Sequence, residues 1–211
     1  MNKKSKSIVF LIFIQLLSSF AFSQTVYSID MLKDSYLSIY GTTNIVSFCL
    51  TQKIDVLTPD NFIVSTHQDE NKVFLNKSQI SIPVKSFNSD NKMALRDFMK
   101  LMKVDSYPFM QVNLKYIEVT STTKSKSGLF GKAYIGITIT GRTMQYTIPV
   151  NSFVAGENYI IKGRKKINIR DFGLSPPTVL FGLLKVNEWI DIDYMIKCKI
   201  NVKNQDLASD N

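Results

Sequence analysis

From Tyr107 to Ile200 apolar and polar side chains alternate in segment after segment, and no other feature of this sequence restricts the fold as tightly. Period two sends successive side chains to opposite faces of an extended chain, so each such segment is dry on one side and wet on the other. Met110, Val112, Leu114 and Tyr116 oppose Gln111, Asn113 and Lys115. Ile135, Ile137 and Ile139 form a second apolar row, and Met144, Tyr146, Ile148 and Val150 a third. The clearest case sets Tyr159, Ile161, Ile167 and Ile169 against Lys162, Arg164, Lys166 and Arg170. The closing segment sets Ile190, Ile192, Tyr194, Ile196 and Ile200 against Asp191, Asp193, Lys197 and Lys199.

Three shorter runs upstream continue the pattern: Leu37 and Ile39; Val46, Phe48 and Leu50; Ile80, Ile82 and Val84. That predicts an all-β protein of about eight strands, with turn signals at Gly141-Arg142 and Ala155-Gly156-Glu157-Asn158. Half-apolar strands must bury their dry faces together, as an antiparallel sandwich or as a sheet closed into a barrel. One short helix interrupts the series, with Asp90 as its N-cap and Met93, Ala94, Leu95, Phe98, Met99, Leu101 and Met102 leading to Lys103. Lys165 is the odd residue. Alternation turns it inward among Ile161, Ile167 and Ile169, at a wet opening unless a bulge at Gly163 turns it out.

The amino-terminal residues follow a different rule. Lys3, Lys4 and Lys6 precede an apolar run from Ile8 to Phe22, broken only by Gln15, Ser18 and Ser19, and Ala21 and Ser23 suit a cut before Gln24. This is the pattern of a cleaved export signal over residues 1–23, and the run is too short for a membrane span. The expected location is periplasmic or secreted. One domain then fills 24–201, and the polar, aperiodic residues 202–211 read as a disordered tail. Without the three leader lysines the net charge falls from +9 to +6. For an exported chain this basic balance points to an anionic membrane surface or phosphorylated head group and away from nucleic acid.

An oxidising compartment would allow Cys49 and Cys198 to form a disulfide, although alternation places Cys198 inside and Cys49 with the outward set. The chain's one histidine, His67, lies in the polar stretch STHQDEN, so metal and nucleophile chemistry have little to draw on. No cofactor is expected. Asp171-Phe172-Gly173 spells the magnesium-holding tripeptide of protein kinases, but the Gly-rich loop, the strand lysine and the H-R-D loop are all missing. Asp171 is read instead as ending a strand and accepting backbone hydrogen bonds, with Gly173 making a sharp turn and Pro176-Pro177 stiffening the crossing. Asp171, Glu118 and Glu188 are too scattered to suggest an active site, so the chain is read as a non-enzyme.

Several motifs occur in a telling order: Gly41-Thr42-Thr43-Asn44, ISIPVKSFNSDNKMALRDFMK, Tyr107-Pro108 with Met110 and Val112, Gly136-Ile137-Thr138-Ile139-Thr140-Gly141, DFGLSPP, and Phe181-Gly182. Together, over roughly Val26 to Ile200, they resemble the YceI-like family. The resemblance implies an exported eight-stranded antiparallel lipocalin-like barrel that holds a long isoprenoid lipid and has no recognised catalytic residues. This sequence departs from the family in its short opening strand and in Cys49.

An eight-stranded interior is either filled by its own side chains or left open around one slender ligand. Met and aromatic residues at strand spacing fit both a plain core and a lining for an irregular apolar chain. The resemblance implies the lining, with the ligand against Phe48, Ile82, Val84, Met110, Val112 and Leu114 and the helix residues Phe98, Met99 and Met102. Further round the barrel it implies Ile137, Ile139, Met144, Tyr146, Ile148, Ile169, Phe172, Ile192 and Tyr194. A long-chain isoprenoid or similar lipid is therefore the expected partner, and self-association into a homodimer stays open. The alternative is a structural or interaction protein of the cell envelope, its barrel packed shut and its basic face, including Lys124, Lys126 and Lys132, engaged in docking.

Overall fold

The structure is a computed structural model that describes residues 25–53, 62–76, 78–123, 128–179 and 184–203. The export signal, the tail beyond residue 203, and Lys124, Lys126, Phe181 and Gly182 lie outside the described residues. Thirteen strands form: β1 (Thr25–Met31), β2 (Tyr36–Thr42), β3 (Ser47–Lys53), β4 (Phe62–Asp69), β5 (Lys72–Asn76), β6 (Gln79–Pro83), β7 (Phe109–Thr123), β8 (Gly128–Ile139), β9 (Arg142–Ala155), β10 (Asn158–Asn168), β11 (Thr178–Val179), β12 (Leu184–Lys185) and β13 (Trp189–Lys203). Among the described residues there is one α-helix, α1 (Lys92–Leu101), between β6 and β7.

Eight of these strands close a ring: β1 pairs β4, then follow β5, β7, β8, β9, β10 and β13, and β13 returns to β1. All the pairings are antiparallel. The chain is thus an all-β, eight-stranded antiparallel, lipocalin-like fold with one short helix. Closure pairs each of the eight strands on both sides over at least part of its length, which satisfies most of their edge donors and acceptors.

The larger strand number arises because three places in the ring are each covered by two short strands, which makes eleven, and β11 and β12 form a separate two-stranded sheet. β13 pairs β1 through Cys198–Lys203 and β2 through Asp191–Met195. Between them the chain kinks at Asp34, whose φ is 73°. Ser35, 1% exposed, holds the kink by accepting from the Lys197 amide at 2.9 Å and donating to the Leu32 carbonyl at 2.8 Å. In the same way β3 and β4 succeed each other beside β2 and β1, and β6 and β5 divide the edge of β7.

Several sequence expectations change here. β1, β4 and β5 were not foreseen. Val84 lies in a 3-10 turn after β6, and β10 ends at Asn168, so Asp171 sits in a 3-10 turn over Ile169–Phe172. Asp171 accepts from the Tyr146 hydroxyl at 2.8 Å, which replaces the expected bonds from backbone. The helix cap is Asn91, whose side chain accepts from the Ala94 amide at 2.9 Å, one residue after the expected Asp90. Val202 and Lys203 pair with Tyr27 and Val26 as part of β13, not as tail. The β7–β8 register shifts between Leu114 and Tyr116, so the bulge at Lys115 turns Tyr116 out to stack on Tyr134, 4.2 Å between ring centres, and brings Ile117 in.

Candidate functional site

The ring encloses an apolar cavity of about 350 Å³, within the range of pockets that bury small-molecule ligands. β7 contributes Met110, Val112, Leu114 and Ile117, and β8 contributes Ala133, Ile135, Ile137 and Ile139. Ile148 and Val150 of β9, Ile161, Lys165 and Ile167 of β10, and Ile190, Ile192, Tyr194 and Ile196 of β13 continue the wall. Leu37, Ile39, Phe48, Leu50, Ile80 and Ile82 complete it, with Phe98, Leu101 and Met102 of α1 at one end. Most of this lining is aliphatic, and side chains of that size pointing in from eight strands stop short of meeting across the axis.

Thirteen of the residues expected to touch a ligand line the cavity: Phe48, Ile82, Phe98, Met102, Met110, Val112, Leu114, Ile137, Ile139, Ile148, Ile169, Ile192 and Tyr194. Val84, Met99, Met144, Tyr146 and Phe172 do not. Val84 is fully buried behind the wall, while Met99, Met144 and Tyr146 pack against the core from partly exposed positions. The lining residues missing from the expectation include Ile117, displaced by the bulge, and Ile161 and Ile167, which the same alternation had already turned inward.

The wall has a seam. The β9–β10 ladder stops at Lys162↔Asn151, while β10 continues against β13 to Asn168. Tyr146 and Phe172 fill the widened angle, their ring centres 6.0 Å apart. Burial, and then the bond to Asp171, raises the Tyr146 phenol well above its ordinary range. Tyr194 crosses Gly163 to donate to the Pro149 carbonyl at 3.1 Å. A Cβ on Gly163 would lie 2.3 Å from the Tyr194 hydroxyl oxygen, so the crossing requires glycine. Burial pushes the Tyr194 phenol up to about 12.

Among the described residues two lining side chains carry charge, Lys165 and Asp97. The β10–β13 register is unbroken from Tyr159 to Asn168, so no bulge occurs at Gly163 and Lys165 does point inward, opposite Ile192. Asp97 is paired with Arg96 at 3.5 Å. Elsewhere inside, Gln52 is fully buried with both amide atoms unmatched, but it does not reach the cavity wall.

The two arginines of the outer basic stripe are answered by acids. Arg164 pairs with Asp191 at 3.5 Å and stands 5.7 Å from the centre of the Tyr40 ring. Arg170 pairs with Glu188, whose carboxyl the Arg170 hydrogen bond holds below its ordinary range. Glu118 accepts from Tyr134 at 3.1 Å. Asp171, Glu118 and Glu188 are thus occupied at three separate places. No group of three potential metal ligands occurs among the described residues.

The expected disulfide is corrected: both thiols are free. Cys49 aligns with Tyr40 and hence with Asp191, seven residues along β13 from Cys198. At about 3.3 Å per residue that is roughly 23 Å, against the ~4.4–6.8 Å between Cα atoms that a bridge requires. Cys198 is also inside, where burial pushes its thiol up to about 11.

The model of the YceI-like domain matches residues 48–198. Among solved structures, a polyisoprenoid binding domain from Saccharophagus degradans, implicated in plant cell wall breakdown, superposes with a TM-score of 0.54 at 10% identity, covering 83% of this chain and 98% of that one. BcnA from Burkholderia cenocepacia superposes with the same TM-score at 15% identity, covering 77% and 95%. At these identities the likeness is one of fold. A comparison with curated proteins finds no match.

Proposed function

The chain belongs to the YceI-like family, and from that premise we propose that it is a non-catalytic binding protein that encloses a long-chain isoprenoid or similar lipid. The observation that carries this reading is the cavity itself, hollow and almost wholly aliphatic. The similarity to a polyisoprenoid binding domain agrees with it. The export signal read from residues 1–23 makes the periplasm or the exterior the place of action.

The energetics favour a long ligand. Each buried methylene contributes about 0.8 kcal/mol, so a five-carbon unit supplies roughly 4 kcal/mol, while association costs on the order of 4–15 kcal/mol. Several units must be enclosed before binding is net favourable. Such recognition needs shape and apolar surface and no reacting group. The alternative, a packed barrel that serves only to dock, requires a filled interior, and the cavity weighs against it.

The test is to extract the purified protein with organic solvent and look for a stoichiometric long-chain lipid by mass spectrometry. Ile137→Trp, which fills the middle of the wall, is expected to keep the fold and to lower lipid loading at least tenfold. An empty extract, with no uptake of added polyprenyl compounds, would overturn the proposal.

A further inference from the structure

Resting on the reading of the cavity as a lipid site, we propose that the ligand is an amphiphile with an anionic head, a carboxylate or a phosphate, and that Lys165 binds that head inside the barrel.

The polar groups of the lining separate into those already engaged and one that is not. The Thr43 hydroxyl donates to the Val46 carbonyl at 3.0 Å. Asn91 caps the helix through its carbonyl oxygen, Tyr194 donates to Pro149, and Asp97 is held by Arg96. Lys165 has no hydrogen bond and no acidic partner among the described residues. It is half-buried, faces Ile192, and has Ile167 next to it on the same side of the strand. An ammonium set among aliphatic side chains gains from a hydrogen-bonded counter-charge brought in by a ligand. The other arginines of its strand region have one each, Asp191 for Arg164 and Glu188 for Arg170.

Position points the same way. Lys165 lies three residues beyond the last β9–β10 pair, at the seam where the wall gives up one ladder. From there the tail has the unbroken aliphatic row of β7 and β8 to lie along. Alternation makes the placement specific: Lys162, Arg164 and Lys166 all point outward, so Lys165 is the one cation of the run delivered to the interior.

Three probes with one tail separate the possibilities: a C20 isoprenoid as its alcohol, its carboxylic acid and its monophosphate, each titrated by calorimetry into the purified protein, into Lys165→Met and into Ile137→Trp. The expected result is that the wild-type protein binds the acid or the monophosphate roughly ten- to a hundredfold more tightly than the alcohol. Which of the two wins identifies the head. Lys165→Met should bring both anions to the affinity that the same variant has for the alcohol, and Lys165→Arg should restore the preference. If the alcohol binds as tightly as the anions and Ile137→Trp abolishes it, the head assignment is wrong and the lipid site stands. If none of the three binds to the wild-type protein, both are wrong.

Discussion

The two walls of the barrel are built on different principles. From β7 to β9 the wall consists of three strands of 15, 12 and 14 residues joined by long ladders, unbroken between β8 and β9 and shifted in register twice between β7 and β8. Opposite, β1 to β6 are strands of five to eight residues that cover their places in the ring in pairs. The long wall is held by its backbone ladder and can leave its inner face bare. The short wall has fewer ladder bonds per strand and is held by contacts beyond the ladder: the Ser35 hydroxyl at the kink, reciprocal backbone hydrogen bonds between Thr51 and Asn88 at 2.8 and 2.9 Å, and Phe87 packed edge-on to Phe98 with 5.2 Å between ring centres. The lesson is that a barrel can keep a hollow beside one wall when the other is closed by a plug.

That contrast can be broken by experiment, and the plug is the first place to try. Phe87 is 1% exposed beneath α1, so Phe87→Ala is expected to cost about 3–5 kcal/mol in urea unfolding. A loss under about 1 kcal/mol would mean that the short wall does not depend on this packing. The seam gives the next largest effect. The Tyr194 phenol titrates near 10 in the unfolded chain and is raised to about 12 in the fold, so the stability it confers is complete below pH 10 and is lost as pH rises to 12. The loss is about 2–3 kcal/mol. Tyr194→Phe should be less stable than wild type by about 1 kcal/mol at pH 8 and show a flatter decline between pH 10 and 12; identical declines would remove Tyr194 as the cause. The smallest effect belongs to the helix that closes the short wall. Asn91→Ala removes the cap on the Ala94 amide, and a loss of about 1 kcal/mol is expected, with Asn91→Asp close to wild type.

The same two walls explain how much could be read in advance. β7 to β10 and β13 are long enough for period two to repeat five or more times, and the segments marked by Ile135, Ile137 and Ile139 or by Ile190, Ile192 and Ile196 are strands in the structure. β4 and β5 were missed because FIVSTHQD and KVFLN do not sustain alternation, and β1 because TVYSIDM does so too briefly to separate from its surroundings. Tyr116 failed for another reason: one extra residue at Lys115 reverses the side chains from Tyr116 to Val119, where a second shift follows, and a bulge leaves no local mark on the pattern.

Alternation by itself determined that the chain is all-β and that it buries one face of each strand, because side-chain direction along a strand is a local property of the backbone; that Lys165 is turned inward needed the unbroken β10–β13 register to exclude a bulge at Gly163. Whether the buried faces meet or stand apart is a property of the whole ring. The number of strands, the seam after Lys162 and the plug of Phe87 and Phe98 set the width of the interior, and each depends on residues far apart in the chain. Only the tertiary structure could decide that Tyr146 packs against Phe172 at the wall while Ile137 faces an empty cavity.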